Sequence, residues 1–495
     1  MLPETTREAA RRHGEATAYV LPEGWTLSYL ELDRISDEVA AGLAQRGITT
    51  GDVVAVTAPP GAEFIVAYLA AAKLGAITAG VNDRLVPSER DAVLRIAGPK
   101  LVIDAAPAMS PDELLVEHRV SGADPPPDLP ADPDRPVAIV FTSGTTGVPK
   151  GAVYCNRQLA FITATDVGDT WGGGGRSLYA MPFAHLGVMT KLPGNLRRGG
   201  TTFVMRRWHA ADALRIIADE HMTTVPGVPA QLAMMLRLTD FDRYDLSHVE
   251  TLILGGGPIT PGLAEEARAR FGAPLVTRYS CTEAGTGLGT AIEDPPEDAV
   301  VSVGRPHPSV ELAVRDEHDE PVAEGEVGRV CLRSPAVMSG YWHDADATAA
   351  AFTADGFVRT GDLGWVDERG RLRLVGRSKE MYVRGGENVY PVEVEAVLST
   401  HPDIAAVAVV PRPDPVMAEV GVAVVVPRDP RTPPTLDGLR AFAKEQLASF
   451  KLPEELRVVD DLPLTAMDKI DRRALEAELA RDAAPTRSAK FGSGS

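Results

Sequence analysis

The sequence has few cysteines and no long apolar run. Only three cysteines occur among 495 residues, Cys155, Cys281 and Cys331, and no two form a Cys-x-x-Cys pair. This spacing argues against a disulfide framework or a cysteine-based zinc site and favours a reduced, cytoplasmic environment. No segment reaches the length of a membrane-spanning helix, and the segment that begins at Met1 lacks the apolar core of a signal peptide.

Positive charge is also scarce. The chain has 50 Lys and Arg residues against 69 Asp and Glu residues, which gives a formal net charge of −19. Nucleic acid and anionic membranes are therefore not expected as main partners. With 44% hydrophobic and 24% charged residues, the composition is that of a globular protein, and the length predicts two or more domains. Any anionic nucleotide must meet locally concentrated lysines and arginines.

The most informative segment is 141–151, Phe-Thr-Ser-Gly-Thr-Thr-Gly-Val-Pro-Lys-Gly, which follows a predicted buried strand at 136–141. Its glycines let backbone N–H groups surround an anion, its hydroxyls add donors, and Lys150 supplies positive charge. Ser/Thr/Gly clusters are often ordinary loops. The Walker spacing is absent, because only two residues separate Gly147 from Lys150. The pattern predicts a polyphosphate loop of another kind, formed by Thr142, Ser143, Gly144, Thr145, Thr146, Gly147 and Lys150.

The rest of the chain changes character towards its C-terminus. Apolar helical and strand-like patterns alternate in the first part, which predicts a layered α/β domain with largely parallel strands. A β-rich stretch follows at 327–342, and the last part has the pattern of a small α+β unit. The predicted helices are 28–46, 64–74, 392–398 and 436–450, and the further predicted strands are 53–57, 101–104, 251–258, 274–279, 405–410 and 420–426.

The phosphate loop and several later motifs, in the same order, resemble those of the adenylate-forming (AMP-binding) superfamily, in particular its acyl-CoA synthetase branch. The later motifs are Tyr279-Ser-Cys-Thr-Glu283, Thr360-Gly-Asp362, Gly376-Arg377, Arg384-Gly-Gly-Glu-Asn388 and the segment 463–472. The resemblance covers nearly the whole chain. It implies a large layered α/β N-terminal domain with a β-rich portion at 1–376, a hinge at 377–379, and a small mobile α+β domain at 380–485. Residues 486–495 are expected to be a disordered tail.

The resemblance also implies how ATP and AMP bind. Tyr279 would pack on adenine, Thr282 would bond the α-phosphate, and Glu283 would hold Mg²⁺. A carboxylate is a suitable ligand for that ion. Asp362 would accept hydrogen bonds from the ribose, and Arg377 would reach ribose and phosphate. The nucleotide set further includes Gly255, Gly256, Gly257 and Ser280, the last of which stands where glycine is usual.

Other matching positions would contact the acid and CoA. His185, Val228, Gly257 and Gly285 are expected to border an acyl pocket, although a lone histidine such as His185 fits a structural role equally well. These positions lack an obvious charge, which favours an acyl or aryl acid over an amino acid. The resemblance implies that the coenzyme A tunnel is lined by Gly385, Gly386 and Glu387, and that Lys379 is the hinge residue.

Lys469 occupies the position of the adenylation lysine, beside one departure from the family motif. Asp468 replaces the usual glycine there. Aspartate tolerates left-handed backbone better than most residues, so we expect the turn to persist. Its carboxylate should also stabilise the protonated lysine while partly offsetting its charge.

Together these features predict an ATP-dependent acid–CoA ligase that uses ATP, Mg²⁺ and coenzyme A. It would activate a fatty, cyclic or aromatic carboxylic acid as acyl-AMP, with release of pyrophosphate, and then transfer the acyl group to coenzyme A. Its catalytic residues would be Lys469, Lys150, Thr142 and Glu283. Two alternatives stay open. One is an adenylate-forming enzyme with another acceptor or substrate, such as a carrier protein, an amine or a small oxyanion like nitrite. The other is a nucleotide-binding pseudoenzyme disabled by Asp468. The oligomeric state is also open, and a homodimer would be unsurprising.

Overall fold

A computed structural model of the chain describes residues 1–142 and 149–483. The chain divides into two compact units. The large unit comprises Met1–Ile259 and Ala264–Leu374, and the small unit comprises Thr260–Leu263 and Val375–Ser495. The predicted fold class is confirmed, because a mixed α/β N-terminal part with a β-rich portion precedes a smaller α+β part. The predicted domain limits, the hinge and the mobility of the small domain stay predictions.

Helices and strands are numbered in chain order. The helices are α1 (Leu2–His13), α2 (Tyr29–Gln45), α3 (Ala62–Lys73), α4 (Pro87–Ala97), α5 (Asn156–Val167), α6 (Leu186–Met189), α7 (Leu192–Arg198), α8 (Ala210–Asp219), α9 (Pro229–Leu236), α10 (Pro261–Phe271), α11 (Asp298–Val301), α12 (Ala345–Ala351), α13 (Pro391–Leu398), α14 (Leu436–Ala443) and α15 (Arg472–Ala483). The strands are β1 (Thr17–Val20), β2 (Thr26–Ser28), β3 (Val53–Thr57), β4 (Ile77–Val81), β5 (Leu101–Asp104), β6 (Pro136–Phe141), β7 (Gly151–Cys155), β8 (Arg176–Tyr179), β9 (Thr201–Val204), β10 (Thr224–Gly227), β11 (Thr251–Gly255), β12 (Leu275–Tyr279), β13 (Leu288–Gly289), β14 (Arg305–Pro306), β15 (Glu311–Arg315), β16 (Gly328–Arg333), β17 (Val358–Val366), β18 (Leu372–Arg377), β19 (Tyr382–Arg384), β20 (Glu387–Val389), β21 (Ile404–Asp414), β22 (Ala418–Pro427) and β23 (Glu455–Val458).

Two mostly parallel sheets position the site in the large unit. One has the strand order β5-β3-β4-β6-β7, in which only β7 runs antiparallel to its neighbour. The other has the order β10-β11-β12-β13-β14, and its first three strands are parallel. A further sheet has the order β2-β1-β9-β8, and the β-rich portion forms the sheet β15-β16-β17-β18.

Helix α2 follows from local sequence signals. Ser28 begins it with a capping box, because its hydroxyl accepts from the Glu31 N–H and the Glu31 carboxylate accepts from the Ser28 N–H. The apolar residues at helical spacing are all fully buried, which confirms the predicted helix; they are Leu32, Ile35, Val39 and Leu43.

Helix α3 is buried along its whole length. Lys73 at its end is tolerated because its Nζ lies 2.6 Å from carboxylate oxygens of both Asp33 and Asp37. Burial raises the pKa of Asp37, and the ammonium group of Lys73 opposes that rise.

The small unit packs helices on both faces of one sheet, β20-β19-β22-β21 with β23 beside β22. Alternate residues of β21 and β22 face different clusters. One cluster joins Val407 and Val409 to helices α13 and α14. The other joins Ala408 and Val410 to helix α15. This alternation explains the unbroken apolar runs that predicted these two strands.

The helix predicted over 436–450 is shorter in the structure and ends at Ala443. The apolar pattern continues through buried Leu447, whose N–H still donates to the Ala443 carbonyl at 2.8 Å. Ala448 then adopts extended backbone, and Lys451 reaches the Glu393 carboxylate at 2.6 Å. The tertiary ion pair accompanies a turn that the amphipathic pattern alone does not predict.

Within the described residues, no helix is long and apolar enough to span a bilayer.

Candidate active site

The predicted phosphate loop connects two antiparallel strands. Strand β6 matches the predicted strand, and Phe141 pairs with Gly151 of β7. The Thr142 N–H donates to the Lys150 carbonyl at 2.9 Å, so these two residues face each other at the base of the loop. A Cβ at Gly151 would lie 2.5 Å from Ile139 Cγ2, so any other residue there would force the buried Ile139 side chain or the strand to shift. The remaining predicted loop residues, Ser143, Gly144, Thr145, Thr146 and Gly147, lie outside the described residues.

Tyr341 connects two predicted catalytic residues. The Lys150 Nζ lies 4.9 Å from the centre of the Tyr341 ring, a cation–π distance. The Tyr341 hydroxyl donates to Glu283 Oε1 at 2.8 Å. Burial and the neighbouring Glu283 charge raise the pKa of Tyr341, so its hydroxyl keeps the proton that it donates. The structure therefore brings Lys150 to the ring of Tyr341 and Glu283 to its hydroxyl group.

The backbone around Tyr341 extends the sheet next to β7. Tyr341 forms a bridge with Ala152, and the Trp342 N–H donates to the Gly151 carbonyl at 2.7 Å. The Ser339 N–H donates to the Val153 carbonyl at 2.9 Å. The sequence indicates only a β-rich stretch here, and it carries no signal for this pairing with a distant strand.

Tyr279 and Asp362 form a second side-chain pair. The Tyr279 hydroxyl donates to Asp362 Oδ2 at 2.6 Å, and Asp362 is buried. Burial raises the pKa of Tyr279, and the Asp362 carboxylate raises it further. The structure thus joins two residues that the sequence assigned to adenine and ribose, whereas their contacts with a nucleotide stay predictions.

A β-bulge directs Asp362. Three residues of β17, from Thr360 to Asp362, oppose the single residue Val330 of β16. Gly361 has φ +80° at this position, and the Thr360 hydroxyl donates to the Val330 carbonyl at 2.9 Å. A bulge bends the strand and redirects its side chains. The Thr-Gly-Asp motif therefore forms a β-bulge, which is a structural role in addition to the predicted binding of ribose.

The segment from Tyr279 to Gly285 is anchored through its backbone. The Thr282 carbonyl accepts from the buried Tyr154 hydroxyl at 2.5 Å, and the Glu283 carbonyl accepts from the Met338 N–H at 2.9 Å. The Ser280 hydroxyl donates to the Gly285 carbonyl at 3.1 Å.

Cys281 and Gly285 are also enclosed in this segment. Burial, with the charges of Glu283 and Asp362, raises the pKa of the Cys281 thiol and keeps it neutral. Gly285 has φ +70°, and a Cβ there would lie 2.4 Å from the Ala336 carbonyl oxygen. This fit restrains the path of the chain after Glu283.

Several predicted binding residues lie at the carboxyl edge of the second sheet. Gly227 of β10 pairs with Leu254, and Gly255 of β11 pairs with Arg278, so the three parallel strands end close together. Ligands commonly bind outside the carboxyl ends of parallel strands. Gly255 is closely approached, because a Cβ there would lie 2.7 Å from the Arg278 carbonyl oxygen. This edge carries Val228, Gly255, Gly256, Gly257 and Tyr279.

His185 has a structural contact. It precedes α6, and its Nδ1 accepts from the Gly187 N–H at 3.3 Å. The predicted pocket role therefore concerns the rest of the imidazole ring and stays a prediction.

In the small unit, Gly385 and Gly386 form a tight hairpin turn. Arg384 of β19 pairs with Glu387 of β20, and the two glycines between them have φ +57° and +95°. Positive φ at both positions is the geometry of a type I′ turn, which favours glycine. The Gly385 N–H also donates to the Met417 carbonyl at 2.8 Å. Glu387 is exposed, and the predicted coenzyme A tunnel stays a prediction.

Lys469 also lies in a short turn. The Thr465 N–H donates to the Lys469 carbonyl at 2.7 Å, and the Asp468 N–H donates to the Thr465 carbonyl at 3.0 Å. Asp468 has φ +55°, which confirms the expectation that aspartate keeps a left-handed turn here. Lys469 itself is half-buried.

The other two predicted residues of the small unit lie near its start. Arg377 is the last residue of β18, and the predicted hinge residue Lys379 is exposed.

Comparison with known families agrees with this geometry. Residues 6–342 match the model of the AMP-binding enzyme family, and residues 393–469 match that of the AMP-binding enzyme C-terminal domain. The chain belongs to the AMP-binding enzyme family. The family resemblance stated from the motifs is confirmed, and the chain is a ligase of the adenylate-forming type.

Similar AMP-binding enzymes carry names with different acceptors. The fatty acid–[acyl-carrier-protein] ligase ScoC of Streptomyces coeruleorubidus is 34% identical, with 98% of this chain and 97% of its own covered. The feruloyl-CoA synthase of an Amycolatopsis species is also 34% identical, with 93% and 95% covered. The structure of the amide bond synthetase McbA from Marinactinospora thermotolerans has a TM-score of 0.84 at 27% identity, with 97% and 100% covered. This family therefore shares a fold while its acceptors differ.

The residues of this AMP-binding enzyme fit the predicted magnesium ion. Within residues 1–142 and 149–483, no group of three or more His, Cys, Asp or Glu side chains could hold a metal ion by itself. Mg²⁺ commonly uses one or two carboxylates together with phosphate oxygens and water. Glu283, held through one oxygen by Tyr341, is a carboxylate of this kind beside the base of the phosphate loop.

Two residues of the large-unit site have no role in the sequence interpretation. Tyr341 links Lys150 to Glu283, and Arg278 adds a cation next to Tyr279. Arg278 immediately precedes the motif that begins at Tyr279, so its charge is visible in the sequence, whereas its surroundings require the fold.

Proposed function

We propose that this protein is an ATP-dependent acid–CoA ligase that activates a carboxylic acid as an acyl-adenylate. The observation that carries the proposal is the linked arrangement of Lys150, Tyr341 and Glu283 at the base of the predicted phosphate loop. Tyr279, which donates a hydrogen bond to Asp362, begins the same short segment that ends in Glu283. The large unit thus contains the lysine, the carboxylates and the tyrosine to which we assign binding of phosphate, Mg²⁺ and the nucleoside.

In the first step, a carboxylate oxygen of the acid attacks the α-phosphorus of ATP. The bond from that phosphorus to the β-phosphate oxygen breaks, and pyrophosphate leaves. Lys150 and the backbone N–H groups of its loop would neutralise charge on the departing phosphates, and Thr142 would border them. Glu283 would hold Mg²⁺, which supplies positive charge to phosphate oxygens when bound.

Lys469 would stabilise the charge that develops between the carboxylate and the α-phosphate. Asp362, Tyr279 and Arg377 would hold the nucleoside. The turn at Asp468 keeps the backbone conformation that the family motif obtains from glycine, which favours an active enzyme over a pseudoenzyme.

In the second step, the thiolate of coenzyme A attacks the acyl carbon and AMP leaves with one oxygen of the original acid. We propose that the small unit turns about Lys379 between the steps, so that Lys469 serves the first and the Gly385-Gly386 turn serves the second. The two glycines would let the backbone approach the pantetheine arm closely.

The second candidate function is transfer of the activated acid to an acceptor other than coenzyme A. It is favoured by the names of two similar proteins, a carrier-protein ligase and an amide bond synthetase. The Gly-Gly-Glu-Asn segment supports coenzyme A instead, because the family resemblance assigns it to the coenzyme A tunnel.

The test is pyrophosphate release from ATP and Mg²⁺ with a panel of fatty, cyclic and aromatic acids. Each acid is assayed with coenzyme A, with an acyl carrier protein, with an amine and with no acceptor. The proposal predicts multiple turnovers only with coenzyme A, and AMP as the nucleotide product. Turnover with the carrier protein or the amine alone would favour the second candidate, and absence of release from every acid would contradict both.

A further inference from the structure

Arg278 is a cation at the carboxyl edge of the second sheet. It is the penultimate residue of β12, immediately before Tyr279. Its strand partners on both sides are glycines, Gly255 in β11 and Gly289 in β13. A Cβ at Gly289 would lie 2.8 Å from Arg278 Nη1, so the glycine leaves the room that the guanidinium occupies.

One end of this guanidinium is fixed by the backbone. Its Nη1 donates to the Thr277 carbonyl at 2.8 Å and to the Thr290 carbonyl at 2.7 Å. Within the described part of the chain, Nε and Nη2 donate no hydrogen bond. These two atoms form the edge of a guanidinium that can bind a carboxylate through two parallel hydrogen bonds.

Among the described residues, the charge of Arg278 has no close carboxylate partner. No carboxylate of residues 1–142 and 149–483 lies at ion-pair distance from it, and the acid that attracts it, Asp166, is already paired with Arg198 at 2.9 Å. The Arg278 residue is exposed; loss of hydration over part of its side chain lowers its pKa, and the charge of Asp166 opposes that change. The guanidinium is thus anchored to the backbone at one end, and its other edge is accessible to an anion from solution.

The direction of the strand separates Arg278 from the nucleoside residues. Successive side chains of a strand point to opposite faces, so Arg278 is directed away from Tyr279 and its partner Asp362. The predicted acyl-pocket residues Val228 and Gly257 follow the ends of β10 and β11, which lie on one side of β12 and end at the same edge. This placement favours the acid substrate over ATP as the partner of Arg278.

We propose that Arg278 binds a second carboxylate of the acid substrate, so that the preferred substrates are dicarboxylic acids. The inference rests on the proposed function, because it names the class of acid that this ligase activates. It also adds a cation to a pocket whose other predicted positions are uncharged. A cation disfavours amino acids by repelling their ammonium group, in agreement with the sequence-based preference for other acids.

The experiment compares matched acids in which a methyl group replaces the second carboxylate. The pairs are malonate with propanoate, succinate with butanoate, glutarate with pentanoate, and phthalate with 2-methylbenzoate. The kcat/KM of pyrophosphate release is measured for the wild type, Arg278→Met, Arg278→Lys and Arg215→Met. Arg215 is an arginine of α8 with an exposed side chain and serves as the matched control.

The wild type should prefer one or more dicarboxylates over the matched monocarboxylate. Arg278→Met should lower kcat/KM for that dicarboxylate about 10- to 150-fold, the range expected for hydrogen bonds to a charged group. It should leave the kcat/KM for the monocarboxylate and the KM for ATP unchanged. Arg278→Lys should retain part of the preference, because it keeps the charge and loses the two-bond geometry, and Arg215→Met should behave as the wild type.

Three results would overturn the inference while leaving the proposed function intact. The first is a wild-type preference for monocarboxylates. The second is an unchanged ratio of kcat/KM for the dicarboxylate to kcat/KM for the monocarboxylate in Arg278→Met. The third is a rise in the KM for ATP in Arg278→Met that is equal for all acids. If no acid releases pyrophosphate, the proposed function fails, and thermal-shift titration with the dicarboxylates decides about Arg278 separately. Stabilisation of the wild type but not of Arg278→Met supports the inference, and equal responses or none contradict it.

Discussion

The two units hold their candidate residues in different ways. In the large unit, side chains from distant segments are hydrogen-bonded to one another, as in Tyr341 with Glu283 and Tyr279 with Asp362. In the small unit, the candidates lie on short hairpin turns with positive φ, at Gly385-Gly386 and at Asp468 beside Lys469. The geometry of the first site depends on long-range packing, whereas that of the second depends on the local backbone.

This difference predicts how each site fails. Substitution in the large unit should break a hydrogen-bond network and affect nucleotide and magnesium binding. Substitution in the small unit should alter one turn and affect one step of the reaction.

The largest effect is expected for Lys469→Ala. Removal of its charge from the first transition state should slow pyrophosphate release by about 10²- to 10³-fold, as for other lost electrostatic contacts. Thioester formation from supplied acyl-adenylate should be largely retained, and the two steps are measured separately. Lys444→Ala, at an exposed position after α14, is the control. Equal loss of both steps in Lys469→Ala would contradict the separate roles proposed for the two turns.

A smaller effect is expected for Gly386→Ala, with Gly98→Ala in the large unit as its control. Both glycines have positive φ, and a Cβ at either would meet no atom of the described residues within 4 Å. Each substitution should lower the free energy of unfolding by about 1–2 kcal/mol, measured by denaturant titration, because left-handed backbone is strained for alanine. Only Gly386→Ala should slow thioester formation, by about tenfold or more, because misplaced reacting groups lose rate steeply. Equal rates of thioester formation in the two variants would remove the small-unit turn from the second step.

Tyr341→Phe should have a moderate effect on the large-unit network. The variant keeps the aromatic ring beside Lys150 and removes the hydroxyl that donates to Glu283. A net hydrogen-bond loss of about 1 kcal/mol should raise the Mg²⁺ concentration for half-maximal pyrophosphate release roughly fivefold. Tyr68→Phe removes a buried hydroxyl that donates to the Met189 carbonyl at 2.8 Å, and it should leave the Mg²⁺ dependence unchanged. The same shift in both variants would indicate a general loss of stability instead of a positioning role for Tyr341.

The smallest effect is expected for Asp468→Gly. Because Asp468 already adopts φ +55°, glycine should keep the turn and leave the rate of pyrophosphate release within about threefold of the wild type. Asp468→Val should be slower, since a β-branched residue tolerates positive φ poorly. A large gain in rate for Asp468→Gly would instead indicate that the aspartate carboxylate suppresses Lys469.

Local signals in the sequence predicted much of the fold. Helix α2 follows from its capping box and apolar spacing, and strand β6 ends where the predicted phosphate loop begins. The left-handed backbone at Asp468 follows from the tolerance of aspartate for that conformation. Each of these features depends on residues that are close in the chain.

Features that depend on distant segments could not be predicted. The pairing of Tyr341 with Ala152 and the bulge at Gly361 require the register of strands brought together by the fold. The early end of α14 accompanies the Lys451–Glu393 ion pair, which the amphipathic pattern does not contain. Arg278 was visible as a charge, but the glycines on both neighbouring strands are apparent only from the sheet register.

The central claim, that the acid is joined to the α-phosphorus of ATP, is tested most directly with an isotope. The enzyme is supplied with ATP, coenzyme A and an acid whose carboxylate carries ¹⁸O at both oxygens, and the nucleotide product is analysed by mass spectrometry. The account predicts AMP with one ¹⁸O atom and an equal amount of acyl-CoA. Unlabelled AMP, or ADP with labelled inorganic phosphate, would contradict an acyl-adenylate and with it the proposed mechanism.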